Sequence, residues 1–236
     1  KNMLYKYIMD KVKNWSAEIP KKFKDDIKLD KNYKNHLIKP CSMILAVGTT
    51  GSGKTNGVLE LLSRTNGKWF EIILFSGSNV DEPMYRFLQE EIPDITVSNN
   101  PEELPRIEDY EECDKNQEKL IIFDDSVLSD AKTLKAISKW FMMARKLKFT
   151  VIMLTQDYTT TPIFIRRNLH YLELFKITDN RDLLNIFSKV ASEIDPNIMM
   201  KIYKECTATA GNFLMINMRA DNPKDKYHQN YIGKIF

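Results

Sequence analysis

The sequence predicts an α/β fold in which a mostly parallel sheet is sandwiched between helices. Five short runs are nearly continuous in Ile, Leu, Val, Phe and Met, which is typical of strands buried on both faces. Segments with helical periodicity separate them, and this alternation predicts right-handed crossovers. The apolar runs span residues 42–48, 69–77, 119–125, 150–156 and 171–177. The helical segments span residues 53–64, 82–91, 131–147, 162–169 and 179–192.

The last part of the chain predicts two more strands, at 212–219 and 231–236. They either extend the edge of the sheet or pair with each other as a hairpin. Residues 98–118 are polar and acidic, and we expect a surface loop with a short helix there. We divide the chain into a basic N-terminal extension, residues 1–40, and an α/β domain, residues 41–236.

Composition narrows the class of protein. Hydrophobic residues make up 43% of the 236 residues and charged residues 28%, as in ordinary globular proteins. No apolar run approaches the roughly 20 residues of a membrane span. We see no secretory signal at the N-terminus. The three cysteines, Cys41, Cys113 and Cys206, form neither a disulfide framework nor a zinc motif, so we expect a reducing intracellular setting.

Charge is distributed unevenly. Residues 1–40 carry 11 lysines against 5 acidic residues, whereas the whole chain has a net charge of only +3. The basic segment is either a solvated lead-in or a contact for a polyanion. Lys132, Lys135 and Lys139 fall on one face of the helix predicted over 131–147. That face is either solvated or a second contact for phosphates.

Residues 48–55 read G-T-T-G-S-G-K-T, the phosphate-loop pattern, between a predicted strand and a predicted helix. Glycines allow the backbone to approach a ligand closely, and successive N–H groups then form an anion site at the helix N-terminus. The lysine adds a charge for the β- and γ-phosphates, and the threonine offers a hydroxyl to Mg²⁺. We therefore predict that ATP is bound by Gly48, Thr49, Thr50, Gly51, Ser52, Gly53, Lys54, Thr55 and Asn56.

Polar side chains end two of the other strands. Asp124 and Asp125 follow the apolar run "LIIF", where Asp124 is expected to hold Mg²⁺ and Asp125 to polarise the attacking water. Gln156 ends "TVIMLTQ", and its amide can bond both a water and a γ-phosphate oxygen. An arginine from a neighbouring subunit can neutralise the charge of the transferring group. The candidates are Arg145 and the pair Arg166 and Arg167.

These motifs together resemble the FtsK/HerA superfamily of DNA-pumping ATPases. They are most similar to the poxvirus-type genome-packaging ATPases of large DNA viruses and virophages. The resemblance covers roughly residues 42–192 and depends on the paired acids, the T-Q strand end and a P-x-x-I-R-x-N segment. In this chain that segment is Pro162, Ile165, Arg166 and Asn168. Many relatives carry Asp-Glu where this chain has Asp-Asp, as the poxvirus-type branch also does.

The resemblance implies a RecA-like P-loop core over residues 41–236, in which the Gln156 strand lies between the strands carrying Lys54 and Asp124. It implies rings, commonly hexamers, with ATP at subunit interfaces. By position, Arg145 matches the family's trans-acting arginine, and Arg166 is ranked second. The implied partners are double-stranded DNA and a capsid or portal-vertex protein, and the implied location is the host cytoplasm, its viral replication factory or the virion.

The leading hypothesis is therefore an ATP-hydrolysing translocase that packages a DNA genome. A helicase or DNA-mobilising motor on the same fold is the main alternative, because its site chemistry is the same. A nucleotide kinase would need an arginine-rich lid, and arginine is sparse here. A nucleotide-switched binding protein would lack a trans-acting arginine.

Overall fold

A computed structural model describes residue 13, residues 18–20 and residues 29–235, apart from 78–79, 82, 115–116 and 126–129. The helices are α1 (Tyr33–His36), α2 (Lys54–Arg64), α3 (Pro83–Glu91), α4 (Ala131–Met143), α5 (Ile163–Arg167), α6 (Asn180–Val190) and α7 (Pro196–Cys206). The strands are β1 (Met43–Val47), β2 (Glu71–Ser76), β3 (Ile95–Ser98), β4 (Lys119–Asp124), β5 (Phe149–Thr155), β6 (Tyr171–Leu174), β7 (Leu214–Asn217), β8 (Tyr227–Gln229) and β9 (Gly233–Lys234). Single 3₁₀ turns span Pro101–Glu103, Ile107–Tyr110, Ala144–Leu147 and Pro223–Asp225.

The strands form one sheet in the order β3-β2-β4-β5-β1-β6-β7-β8-β9. The six strands from β3 to β6 run parallel, and β7, β8 and β9 add antiparallel pairs at one edge. The predicted α/β architecture is thus confirmed. The late strands extend the sheet edge, which answers the question that the sequence left open. β5 lies between β1 and β4, as the family resemblance implied.

Helices cover both faces of the sheet. On one face α2 and α3 pack against residues such as Ile44 and Leu74. On the other face α4, α6 and α7 pack against residues such as Leu45 and Phe123. Every residue of β1, β4 and β5 is buried, which explains their continuous apolar runs. This packing fixes the carboxyl ends of three adjacent strands, where the predicted site residues lie.

Three helices or strands of the α/β domain, residues 41–236, were not predicted from the sequence. β3 is a short edge strand that is only partly buried, and β8 has three residues, two of them polar. Neither has a strong apolar pattern. Asp195 is the N-cap of helix α7, where its side chain accepts from the Asn197 and Ile198 N–H groups, and Pro196 is the first helical residue. Asp followed by Pro is a recognisable signal for the start of a helix.

Most of the predicted N-terminal extension lies outside the described residues. Within residues 29–40, Ile38 is fully buried in the core beside α2. The Tyr171 hydroxyl on β6 donates to the Leu37 carbonyl and accepts from the Lys39 N–H. The end of this segment therefore packs on the α/β domain, and the division at residue 40 stays a prediction. None of the described helices is long and apolar enough to span a membrane.

Candidate nucleotide-binding site

The phosphate loop joins the buried end of β1 to the start of α2. Its glycines at 51 and 53 have φ angles of 73° and 98°, in the left-handed region that favours glycine. The first helical hydrogen bond runs from the Gly57 N–H to the Gly53 carbonyl, at 2.9 Å. The earlier N–H groups of α2 have no intrahelical acceptor. The loop therefore has the backbone of an anion cradle at a helix N-terminus.

Lys54 lies at the base of this loop. Its buried ammonium group donates to the carbonyls of Gly48, at 2.7 Å, and Thr49, at 3.2 Å. Burial lowers its pKa, and the charges of Asp125 and Asp124 oppose that shift. The lysine thus ties the loop together and lies within the field of both acids.

Tight packing holds the loop in this shape. A Cβ added at Gly48 would lie 2.5 Å from Ser52 Oγ and 2.6 Å from Phe175 Cβ. The Thr49 N–H and hydroxyl donate to the Lys176 carbonyl. Ser52 Oγ is buried without a hydrogen-bond partner among the described residues. An unpartnered hydroxyl inside the loop fits a phosphate oxygen as its acceptor.

The loop glycines differ in what an added methyl group would meet. At Gly51 a Cβ meets nothing within 4 Å, whereas at Gly53 it lies 2.6 Å from Gly211 Cα. We expect Gly51→Ala to lower the free energy of unfolding by about 1–2 kcal/mol, the cost of a left-handed alanine. Gly53→Ala should cost a further ~1–3 kcal/mol for overpacking. Urea unfolding without nucleotide measures both; equal losses would show that the approach of Gly211 does not constrain the loop.

Asp124 lies at the buried end of β4. Its Oδ2 accepts a hydrogen bond from the Tyr85 hydroxyl on α3, at 2.9 Å. Burial raises its pKa to about 6; the nearby charge of Asp125 adds to the shift, whereas the Tyr85 bond and Lys54 reduce it. A carboxylate so far desolvated, beside a second acid, is stabilised by a cation.

This environment predicts a pH dependence of stability. The pKa of Asp124 is about 6 in the folded protein against an ordinary 3.8. Its contribution to stability is therefore fully present below about pH 4 and is lost as pH rises through 6. We expect the free energy of unfolding of the wild type, relative to Asp124→Asn, to fall by up to about 3 kcal/mol between pH 4 and 7. A pH-independent difference in nucleotide-free urea unfolding would contradict this.

Asp125 and Gln156 meet beside Asp124. Gln156 Nε2 lies 3.5 Å from Asp125 Oδ1, so the ends of β4 and β5 come together as predicted. Asp125 has a φ angle of 46°, a left-handed conformation that is uncommon outside glycine and occurs often at functional sites. The half-buried carboxylate and the exposed amide both remain accessible to solvent.

The residues present fit Mg²⁺ as a phosphate-bound ion. Among the described residues no group of three His, Cys, Asp or Glu side chains forms a metal cage. Mg²⁺ at nucleotide sites commonly takes one or two protein oxygens and completes its shell with phosphates and water. Thr55, half-buried in the first turn of α2, and Asp124 are the predicted pair. The raised pKa of Asp124 is consistent with a carboxylate adapted to a cation.

The two candidate arginines lie at opposite ends of the sheet. Arg166 follows β5, on the side of the phosphate loop, where its Nε donates to the Thr161 carbonyl and its guanidinium packs over Tyr158. Arg145 precedes β5 and is exposed in the 3₁₀ turn Ala144–Leu147. Seven residues of strand separate it from Gln156, or about 23 Å at 3.3 Å per residue. Arg145 is thus remote from the nucleotide site of its own chain.

The three predicted lysine contacts are exposed. Lys132, Lys135 and Lys139 lie on the solvent side of α4, and Lys139 Nζ is 3.9 Å from a Glu108 carboxylate oxygen. Exposure of these lysines is expected both of a solvated helix face and of a contact for phosphates.

Three residues that pack behind the site, Tyr231, Glu173 and Tyr85, were not predicted from the sequence. The Tyr231 hydroxyl donates to the Gly57 carbonyl of α2, at 2.9 Å. Behind it lies Glu173, fully buried on β6, whose pKa burial raises to about 8. Tyr85, as described, bonds Asp124. No local pattern identifies these residues, because each acts through a contact distant in sequence.

Comparison with known proteins agrees with this geometry. No curated protein sequence matches the chain. Among solved structures, the packaging NTPase B204 of Sulfolobus turreted icosahedral virus 2 with ATP-gammaS is similar at a TM-score of 0.56 and 15% identity, covering 80% of this chain and 96% of that one. B204 of Sulfolobus turreted icosahedral virus, a DNA-packaging ATPase, has a TM-score of 0.54 at 13% identity, covering 82% and 98%. The type VII secretion ATPase EccC of Thermomonospora curvata has a TM-score of 0.52 at 14% identity, covering 83% and 26%.

At these identities the solved structures establish the P-loop ATPase fold. The family comes from the sequence itself, since residues 29–217 match the family described as Poxvirus A32 protein. That match spans the phosphate loop, the paired acids, Gln156 and every strand of the parallel sheet. The chain therefore belongs to the poxvirus A32 protein family, the genome-packaging ATPase family that its motifs resemble, and is an ATPase.

Proposed function

We propose that this ATPase moves double-stranded DNA into a viral capsid and does so as a ring. One observation carries the proposal: the phosphate loop, the paired acids and Gln156 converge at the carboxyl ends of three adjacent strands. That arrangement, in a chain of the packaging family, supports hydrolysis coupled to mechanical work rather than transfer to a small acceptor.

The residues divide the chemistry among themselves. The loop N–H groups and Lys54 hold the triphosphate, and Thr55 and Asp124 hold Mg²⁺. When bound there, the ion would supply charge neutralisation at the phosphates. Asp125 accepts a hydrogen bond from the attacking water and orients it, and Gln156 positions that water against the γ-phosphate. Because these two atoms are 3.5 Å apart, one water beside the pair can contact both the amide and the carboxylate.

The proposed assembly follows from the position of Arg145. Arg145 and the nucleotide site of its own chain are separated by the length of β5, about 23 Å. It therefore contributes to hydrolysis only if it reaches the phosphate held by a second copy. A ring, expected as a hexamer, provides that contact at every interface. The exposed lysines of α4 and the basic segment within residues 1–40 are the proposed contacts for DNA phosphates. A capsid or portal-vertex protein is the proposed docking partner, and the viral replication factory or the virion is the proposed location.

The response of the ATPase rate to duplex DNA distinguishes a DNA motor from a nucleotide kinase, and a strand-separation assay distinguishes it from a helicase. We expect long duplex DNA to raise the steady-state ATPase rate at least several-fold, with no preference for sequence and with strong inhibition by salt. Nucleosides and nucleoside monophosphates should leave the rate unchanged. Stimulation by an acceptor nucleotide instead of DNA would indicate a kinase. ATP-dependent strand separation of a forked duplex would favour the helicase alternative, and mass measurement with a non-hydrolysable analogue and DNA gives the ring size.

A further inference from the structure

A second charged recess lies at the opposite end of the sheet from the phosphate loop. It has a volume of about 340 Å³. Its lining includes the charged residues Lys39, Arg145, Arg219 and Asp221 and the titratable residues His170, Tyr171 and Cys41. The topology explains why they meet. Lys39, Arg145 and His170 precede the parallel strands β1, β5 and β6, whereas Arg219 follows the antiparallel β7. We call this recess the basic pocket.

The two guanidinium groups in the basic pocket lie beyond ion-pair distance of any carboxylate in the part of the chain that the structure describes. Among the described residues, neither Arg145 nor Arg219 makes an ion pair with a carboxylate. Burial, and after it the charge of Arg145, lowers the pKa of Arg219. Burial and both arginines hold the pKa of His170 at about 3, so this imidazole is neutral and adds no charge. Both arginines are exposed to solvent and line one recess, and two like charges on one recess favour a bound anion.

We propose that the basic pocket binds a terminal phosphate group through Arg145 and Arg219, and that in the assembly this group belongs to a nucleotide held by a second copy of the chain. The assembly part rests on the proposed function, because it requires the ring. Arg219 is the new element. It lies outside every motif of the phosphate site and follows β7, one of the antiparallel strands at the edge of the sheet.

Charge and shape favour a terminal phosphate over the backbone of DNA. Lys39, Arg145 and Arg219 against Asp221 leave a surplus of two positive charges. A terminal phosphate carries about 1.5–2 negative charges at neutral pH, whereas each phosphodiester carries one. A single phosphate group enters a recess of this size, whereas a duplex presents a broad convex surface. Two guanidinium groups also offer the forked donors that suit phosphate oxygens.

Binding of tripolyphosphate tests the pocket itself. In a Lys54→Ala protein the phosphate loop is weakened, so remaining binding reports the basic pocket. Adding Arg219→Ala should weaken that binding about 10- to 100-fold, as for the loss of a charge-assisted hydrogen bond. Arg219→Lys should recover part of it, and adding Lys146→Ala, which removes an exposed charge from the same turn as Arg145, should leave it unchanged. Thermal unfolding confirms that each variant is folded.

Two results would overturn the site. One is tripolyphosphate binding that ignores Arg219. The other is an Arg219→Ala protein whose loss of duplex DNA binding is as large as its loss of tripolyphosphate binding, because the pocket would then bind phosphodiesters equally well.

Mixing two defective proteins tests the source of the phosphate. Arg219→Ala and Lys54→Ala should each hydrolyse ATP slowly alone. Mixed, they place an intact phosphate loop against an intact basic pocket at some interfaces, so turnover should exceed the sum of the two. No recovery, with a DNA-stimulated wild type, would refute the contact between copies. A wild type without DNA stimulation would instead refute the proposed function, and the tripolyphosphate result would still decide the pocket.

Discussion

Replacing Lys54 with alanine is expected to lower ATP turnover by about 10²- to 10³-fold. The ammonium group is buried and already bonded within the loop, 2.7 Å from the Gly48 carbonyl. In the proposed complex with ATP it makes charge-assisted hydrogen bonds to phosphates, each worth about 1.5–3 kcal/mol. Losing about two of them at the lower end of that range, about 3–4 kcal/mol, corresponds to this fall, at about 1.4 kcal/mol per factor of ten. Steady-state phosphate release and titration with a fluorescent ATP analogue measure turnover and binding separately.

The control removes a lysine without touching the loop. Lys201 is exposed on α7, and Lys201→Ala should hydrolyse ATP as the wild type does. Urea unfolding separates loss of the site from loss of the fold. A Lys54→Ala protein that is folded and turns over ATP at the wild-type rate would show that residues 48–55 do not hold the triphosphate.

The strand–loop–helix frame of the candidate phosphate site was predictable because its parts are local. Glycine conformations, the lysine and the threonine all lie within residues 48–55, between a strand and a helix that have clear patterns of their own. The acids and Gln156 were predictable for a similar reason, since each ends a continuous apolar run. The order of the strands was not predictable from the residues alone. The position of β5 between β1 and β4 came from the family resemblance, and the sheet confirms it.

Contacts between distant segments were not predictable. A tyrosine on an amphipathic helix indicates burial, but nothing near Tyr85 indicates that its hydroxyl bonds Asp124. Gly211 lies in a loop after α7, and only the folded chain brings it against Gly53. The basic pocket gathers residues from four separate segments. Each depends on long-range packing, which hydrophobic periodicity does not encode.

The small edge elements were missed for a different reason. β3 and β8 have four and three residues and are partly polar. Their strand conformation comes from pairing with β2 and β7, not from their own sequence. Tertiary context outweighs local propensity in such segments.

Replacing Arg145 with alanine is expected to have the largest effect on turnover, a fall of about 10³- to 10⁵-fold with ATP binding nearly intact. Arg145 is exposed and precedes β5, whereas Gln156 follows it. The length of that strand prevents Arg145 from reaching the phosphates of its own chain. Its loss should therefore affect only the step in which a second copy stabilises charge on the transferring phosphoryl group. Single-turnover hydrolysis and analogue titration distinguish this step from binding.

Lys146 and Arg166 provide control substitutions for Arg145→Ala. Lys146→Ala removes an exposed charge from the same turn and should leave turnover unchanged. Arg166→Ala should cost less than Arg145→Ala, because the Arg166 side chain is already engaged by the Thr161 carbonyl and the Tyr158 ring. In the wild type the specific ATPase rate should rise with protein concentration until assembly is complete, since the arginine arrives from another copy. If Arg145→Ala hydrolyses ATP normally while Arg166→Ala does not, the trans-acting arginine is Arg166, and the basic pocket serves another ligand.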